Sequence, residues 1–470
     1  MSNEPKVSIK KPERLPSFIE RFHIAHGASN FYSNFHVTGV YNKSLDTVLL
    51  SNVLRTMIGR YPVFALTINR SKRSTGREIE RDIKYDYKNY RVSPVEIIEF
   101  KDVVEVVDRN YSTLELNYIN NTLIENDTNK VTWRVILYAD NYLTFYNNHT
   151  FFDGEAGANF HKEVLSILDE LDGTKLDFQE CLFEFGHNFH FPLPLDQMTD
   201  IHKSNIFLKT KLVIRELCPE MVKNIVSRAT DGTYPNFIKF PFFKSKYMKT
   251  YKTNLKLIKI DDVTMKGLVK NLRSEGTTLT SFLTVAVNYC LQRTMKVTLQ
   301  KPKSTVSAID ISGRRYHPEL KSELKFSNFV TLFEWKMKPL FELEEILPES
   351  KRLNVSLNKE IKSQIGFKWL GLLNLTKIRD VVKPNKTHIK QPYIVEISNL
   401  GYHEFSNGPW NVRDVICSQC LGVSATFSLT IVSCSTGMNI GYAFLDEFQN
   451  YPHEEFIHSL QYVINQFACK

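Results

Sequence analysis

Residues 132–170 constrain the fold more than any other stretch of this chain. TWRVILYA (132–139) and YLTFYNNH (142–149) are β-branched and aromatic runs joined by the turn-forming pair Asp140-Asn141, so they read as consecutive strands. EAGANFHKEVLSILDE (155–170) repeats its apolar residues at helical spacing. Strands that feed a helix call for a mixed α/β chain in which sheet and helix share a core. The same reading puts the octapeptide NNHTFFDG (147–154) where strand gives way to helix. His149 then stands at a strand's end and Asp153-Gly154 in the turn, a place where α/β proteins often carry functional groups.

The rest of the chain follows the same logic. Leu45, Val48, Leu49, Val53, Met57 and Ile58 mark a helix over 45–60, Pro62 ends it, and Val63–Ile68 reads as a strand. Further on come a strand at 254–260, helices at 263–274 and 278–294, a strand at 304–311 and a polar helix around 342–361. Strands at 392–399, 425–433 and 438–445 precede an amphipathic helix at 453–467, whose stripe is Phe456, Leu460, Val463, Ile464 and Phe467. Residues 174–250 show no such regularity. Because 470 residues exceed what one core organises, the expected division is an N-terminal half (1–175) carrying the octapeptide, a crossover segment (176–250) and a C-terminal half (251–470).

Composition narrows the class. A net charge of +9 favours anionic partners, but no RRM, zinc-finger or basic-zipper signature is present, so nucleic acid is not expected. The charged N-terminus lacks the apolar core of a signal peptide. The longest nearly apolar run, Leu279–Leu291, is interrupted by Ser281, Thr284 and Asn288 and is too short to span a bilayer. Seven scattered cysteines fit reduced thiols in the cytosol. Cys417 and Cys420 form a lone C-x-x-C, and His187 and His190 lack a third ligand nearby, so no metal is expected. Seven lysines interleaved with aromatics over 239–259 read as a solvated linker, or alternatively as a surface for phosphates or anionic lipid. The Phe-rich run 178–191 either lines an acceptor pocket or packs internally.

H-x-x-x-D-G is a pattern with chemistry in it. A neutral imidazole takes a proton from a hydroxyl or amine as that atom attacks an electrophile, and an ordinary pKa of about 6.5 suits neutral pH. Asp153 faces the ring, pins the turn, or simply caps the helix that follows. Gly154 lets the backbone fold tightly. Asn148-His149-Thr150 is also a glycosylation sequon, which points to a compartment without glycosylation or to a buried position.

Five segments, taken in order, resemble the CoA-dependent acyltransferase superfamily of chloramphenicol acetyltransferase, the plant BAHD enzymes and the fungal alcohol acetyltransferases. They are FYNNHTFFDGEAGANFH (145–161), GTTLTSFLTVA (276–286), AIDISGRRYHP (308–318), VEISNLG (395–401) and a late hairpin over 427–446 with Gly437. The likeness runs from about residue 17 to the end and is greatest to the yeast alcohol acetyltransferases and the sphingoid-base N-acetyltransferase. It implies an α/β (α+β type) fold of two chloramphenicol acetyltransferase-like halves, with mixed sheets and a tunnel between them. By the same resemblance His149 is the general base, and Asp153 turns away from the substrate to an arginine. That arginine is Arg314, with Arg315 as the alternative because the spacing departs from the plant pattern. Ser398 and Asn399 are oxyanion or tunnel candidates, and Ser428 offers another hydroxyl.

The implied activity is direct transfer of acetyl from acetyl-CoA to the hydroxyl or primary amine of an amphipathic, lipid-like acceptor: an alcohol, a sterol or a long-chain base. A monomer in the cytoplasm is expected, with peripheral contact to endoplasmic-reticulum or lipid-droplet membranes compatible with these readings. The rival readings are a non-catalytic lipid or acyl-CoA binding protein of the same fold, and a membrane-surface protein built on the basic segment.

Overall fold

A computed structural model describes residues 10–28, 34–70, 90–122, 124, 129–210, 252–295, 305–372, 393–421 and 425–469. Twelve of its strands form two six-stranded sheets. Four come early: β1 (Asn34–Tyr41), β2 (Val104–Val107), β3 (Trp133–Tyr138) and β4 (Tyr142–Asn148). Eight come late: β5 (Thr253–Asp261), β6 (Thr305–Ser312), β7 (Val330–Met337), β8 (Tyr393–Tyr402), β9 (Ser406–Asn407), β10 (Trp410–Gln419), β11 (Ala425–Cys434) and β12 (Gly437–Leu445). The first sheet runs β9-β10-β1-β4-β3-β2 and the second β7-β6-β8-β11-β12-β5. Each mixes parallel and antiparallel neighbours, as the expected fold class requires. A boundary near residue 251 does not separate the sheets, because β10 comes from the C-terminal stretch and pairs with β1, and β9 pairs with β10 at the edge of the same sheet.

Eight helices matter to the packing: α1 (Phe18–Ala28), α2 (Thr47–Arg60), α3 (Thr113–Asn121), α4 (Gly154–Glu170), α5 (Asp262–Ser274), α6 (Leu279–Thr294), α7 (Ile346–Ser363) and α8 (His453–Ala468). Helices α2 and α4 enclose one apolar core with the first sheet. Helices α5, α6, α7 and α8 enclose a larger one with the second, where Phe456, Leu460, Val463, Ile464 and Phe467 of α8 are buried. The C-terminal helix is therefore a packed core element. Among the described residues no helix is long and apolar enough to cross a membrane.

The other face of the second sheet is polar. Phe427, Leu429 and Ile431 of β11 point into the core, so Ser428 and Thr430 point out of it, level with Glu396 and Ser398 of β8. Strand β10 of the first sheet lies across this face. Gln419 Nε2 donates to Glu396 Oε1 at 2.9 Å, and Thr430 Oγ1 donates to Cys417 O at 2.7 Å. All ten residues of β11 are consequently buried, both those facing helices and those facing β10.

One expectation is corrected. Pro62–Ala65 form a 3₁₀ turn, and the strand begins only at Leu66 and runs to Arg70, since proline's fixed φ starts a helical turn. The lysines up to Lys249 lie outside the described residues. Lys252, Lys256 and Lys259 are paired with Asp446, Glu454 and Asp414. Helix α4 sits close on β1: a Cβ on Gly157 would meet Val37 Cγ2 at 2.5 Å, and one on Gly39 would meet His161 Nδ1 at 2.9 Å. The His161 ring locks this contact. Its Nε2 donates to Val37 O at 3.0 Å, so Nδ1 accepts from the Tyr41 hydroxyl at 2.9 Å. This packing fixes the turn between β4 and α4.

Candidate active site

That turn is built by Asn148. Its Oδ1 accepts from the Thr150 backbone N–H at 3.1 Å and from the Thr150 hydroxyl at 2.6 Å, an Asx turn, while its Nδ2 donates to Ile124 O at 3.2 Å. The sequon asparagine is buried and bends the chain. His149 follows it, half-buried.

Asp153 closes the turn with four hydrogen bonds. Oδ1 accepts from Ala156 N, capping α4, and from Arg314 Nη2, both at 2.9 Å. Oδ2 accepts from Arg314 Nη1 at 2.8 Å and from Phe329 N at 2.9 Å. Burial opposes ionisation of this carboxyl, yet Arg314 and the two backbone donors outweigh it and hold its pKa below the ordinary value. Arg314 also donates from Nε to Leu324 O at 2.9 Å and from Nη2 to Ser327 O at 2.5 Å. Arg315 is exposed. Gly154 has no positive φ; a Cβ there would lie 2.7 Å from Leu400 Cδ2, so the glycine makes room for the S-N-L-G strand rather than bending the turn.

The Arg314 fork orders residues 324–329, and this loop brings a residue that no local pattern marks. Asn328 Nδ2 lies 2.5 Å from His149 O and 3.1 Å from His149 Nδ1. Exchanging the amide atoms would set two oxygens against each other, so Nδ2 donates to the carbonyl. The carbonyls of His149 and Phe152 favour the protonated ring. Nδ1 is the ring nitrogen at this edge, beside Asn328 Nδ2 and His149 O, and Nε2 lies on the opposite side of the ring. Burial lowers the ring's pKa; Asp153 and the two carbonyls offset it only in part, and the ring stays below its ordinary 6.5. It is a neutral base at neutral pH. The ring stacks on His23 of α1, with centroids 4.7 Å apart and planes 6° apart, and touches Phe35 at 4.8 Å. We expect Asn328→Ala to lower kcat about tenfold with little change in KM, because the ring loses its edge restraint and its reactive nitrogen drifts. An unchanged kcat would show that Asn328 only packs.

His149 lines a cavity of about 1180 Å³ between the sheets, together with Asp153, Gly154, Arg314, Ser398 and Asn399. Ser428 stands on the polar face beside it, within reach of Gln419 Nε2 at 3.2 Å. Asn399 is held by its neighbours: its Nδ2 donates to Thr280 Oγ1 at 2.9 Å and its Oδ1 accepts from Gly401 N at 2.9 Å. Ser398 bonds to Asp310, whose carboxyl is pushed well up by burial and by Glu396. Glu155, Asn159 and Lys162 follow the motif at helical spacing and line the same cavity, so periodicity alone marks them. Lys162, Lys321 and Lys325 crowd together. Burial lowers the Lys162 pKa, as do the other two ammonium groups, against the pull of Glu155. Burial and Lys162 likewise push His403 down to about 4.

A second cavity of about 590 Å³ shares Tyr61 and Ser322 with the first and has Asn328 in its wall; Val63, Phe151, Phe191, Leu195 and Phe326 make it mainly apolar. Phe191 comes from the Phe-rich run, and His187 and His190 of that region are exposed. No cluster able to hold a metal occurs among the described residues. Cys417 and Cys420 are buried free thiols, and burial pushes Cys417 up to about 12.

Comparison with known proteins agrees with this architecture. The alcohol acetyltransferase family profile matches residues 17–464. An uncharacterised protein of Schizosaccharomyces pombe is 23% identical over 444 residues, covering 90% of each chain. Among solved structures, the trichothecene 15-O-acetyltransferase of Fusarium sporotrichioides superposes with a TM-score of 0.66 at 12% identity, over 97% of this chain and 95% of that one. The condensation domain of the monacolin K polyketide synthase does so with a TM-score of 0.61 at 12% identity, over 98% of both.

Proposed function

This chain belongs to the alcohol acetyltransferase family, and from that premise we propose that it transfers acetyl from acetyl-CoA to a hydroxyl or primary amine of an amphipathic acceptor, with His149 as general base. The observation that carries the reading is a neutral, half-buried imidazole on the wall of a cavity between the sheets, its carbonyl gripped by Asn328 and its turn pinned by Asp153 and Arg314. Lys162 and Lys321 on the same wall favour a phosphate-bearing donor such as CoA, while the nearby Lys325 is paired with Glu163. Polar groups on the wall suit an acceptor's head, and the adjoining apolar cavity suits its hydrocarbon part.

In the proposed step, Nε2 of His149 takes the acceptor's proton as the oxygen or nitrogen attacks the thioester carbonyl. The C–S bond breaks, and the imidazolium returns the proton to the departing thiolate, so no covalent acyl-enzyme forms. Ser398 is our candidate donor to the oxyanion, since its hydroxyl stands on the polar wall of the same cavity as His149. Whether the acceptor resembles that of the sphingoid-base N-acetyltransferase or is an alcohol or sterol is a question for a substrate panel. Labelled acetyl-CoA incubated with short alcohols, sterols and long-chain bases should give one class of acetylated product by mass spectrometry. With an amine the rate should rise with pH, because an ammonium of pKa about 8–10 must first lose its proton. CoA binding without product from any acceptor would favour the non-catalytic reading instead.

A further inference from the structure

Helix α1 is anchored at its start by a side-chain cap and an ion pair. Ser17 N donates to Glu20 Oε2 at 2.6 Å and Glu20 N to Ser17 Oγ at 3.3 Å, a reciprocal cap. Arg14 grips the same Glu20 with two bonds of 2.7 Å, and Phe18, Ile19 and Ile24 are buried. One and a half turns into this helix, His23 lies face to face with His149 at 4.7 Å and 6°. We propose that His23 is a positioning residue of the active site. Its flat face sets the plane of the His149 ring and keeps water from that side.

The two restraints on the ring are complementary. A stacked face fixes the plane but permits a 180° flip that would exchange the nitrogens. Asn328 and the His149 carbonyl, at the ring's edge, decide which nitrogen faces the cavity. A neutral His23 also suits the task. Burial, His149 and His26 all lower its pKa, so at neutral pH it adds no charge beside the base. The titratable groups acting on the pair are His26 from α1 and Asp153 from the start of α4.

The inference rests on His149 being the base, and the test separates the two. His23→Ala should lower kcat about ten- to a hundredfold at unchanged KM for acetyl-CoA, since the ring is released from its attack geometry. Its acid limb should move to higher pH, because water admitted beside His149 relieves the burial that lowers the ring's pKa. His23→Phe keeps a flat apolar face and should retain most of the activity and the original limb. His23→Leu fills the volume without a flat face and is read in the alanine variant's place if that variant does not fold. Unchanged kcat in His23→Ala, or equal losses in the Phe and Ala variants, would overturn the stacking role. If His149→Ala is inactive while His23→Ala is fully active, only the stack has failed; an active His149→Ala overturns both.

Discussion

His149→Ala should lower kcat by about 10²–10⁴, while acetyl-CoA binding and the unfolding midpoint stay close to those of the parent. The turn survives the change because it depends on Asn148, and the Asn328 amide holds the His149 backbone carbonyl, which alanine keeps. The acceptor's chemistry then decides how the defect varies with pH. A neutral alcohol has a hydroxyl far too weakly acidic to attack unaided, so the loss should persist across the pH range. An amine becomes its own nucleophile once deprotonated, so the loss should shrink as pH rises towards about 9–10. In the parent enzyme burial, partly offset by Asp153 and the carbonyls, holds the ring below 6.5. Protonation removes the base form, so activity should fall on the acid side only below that value. A variant that turns over at the parent rate would sink the assignment of His149 as base.

What was legible in the sequence follows the range of the forces involved. The β3–β4–α4 unit was readable because hydrophobic periodicity and the Asp140-Asn141 turn act within a few residues. Strand β10 was not. WNVRDVICSQ puts Arg413 and Asp414 inside a strand, and only the pairing with β1 and the ion pair between Asp414 and Lys259 explain them. Helix α1 escaped notice for the same reason: its short stripe gains meaning against partners distant in sequence. At the site, Asp153 caps α4 and receives Arg314 at once, because one carboxylate has enough lone pairs for both. The choice between Arg314 and Arg315 turns on a 3₁₀ turn over Arg314–Tyr316 that leaves Arg315 exposed. Asn328 and His23 carry no local signal. Each acquires a role from a contact more than a hundred residues away, and a single sequence does not display such contacts.

Asp153→Asn should cost about 3–5 kcal/mol of stability, the range found when one partner of a buried ion pair is removed. The side chains of Asp153 and Arg314 are only 3% and 12% exposed, so water replaces little of what is lost. Asparagine keeps one acceptor oxygen for four donors and turns an amide towards a guanidinium. Arg314 is then left with Glu155 at 3.4 Å as its remaining carboxylate. Activity should fall at least about tenfold as well, because Arg314 and Asp153 together hold the loop that delivers Asn328. The pH dependence has a definite sign. The folded pKa of Asp153 lies below its ordinary 3.8, so its contribution is fully present above that value and is lost as pH falls through the folded pKa. The stability gap between parent and variant, followed by denaturant titration, should therefore be constant near neutrality and close only below about pH 4. Arg314→Gln should show a similar loss, and the double variant should be hardly worse than either single one, since the pair acts as one unit. Additive losses, or a gap that persists unchanged to low pH, would mean that the fork does not pin this turn, and the placement of His149 would need another cause.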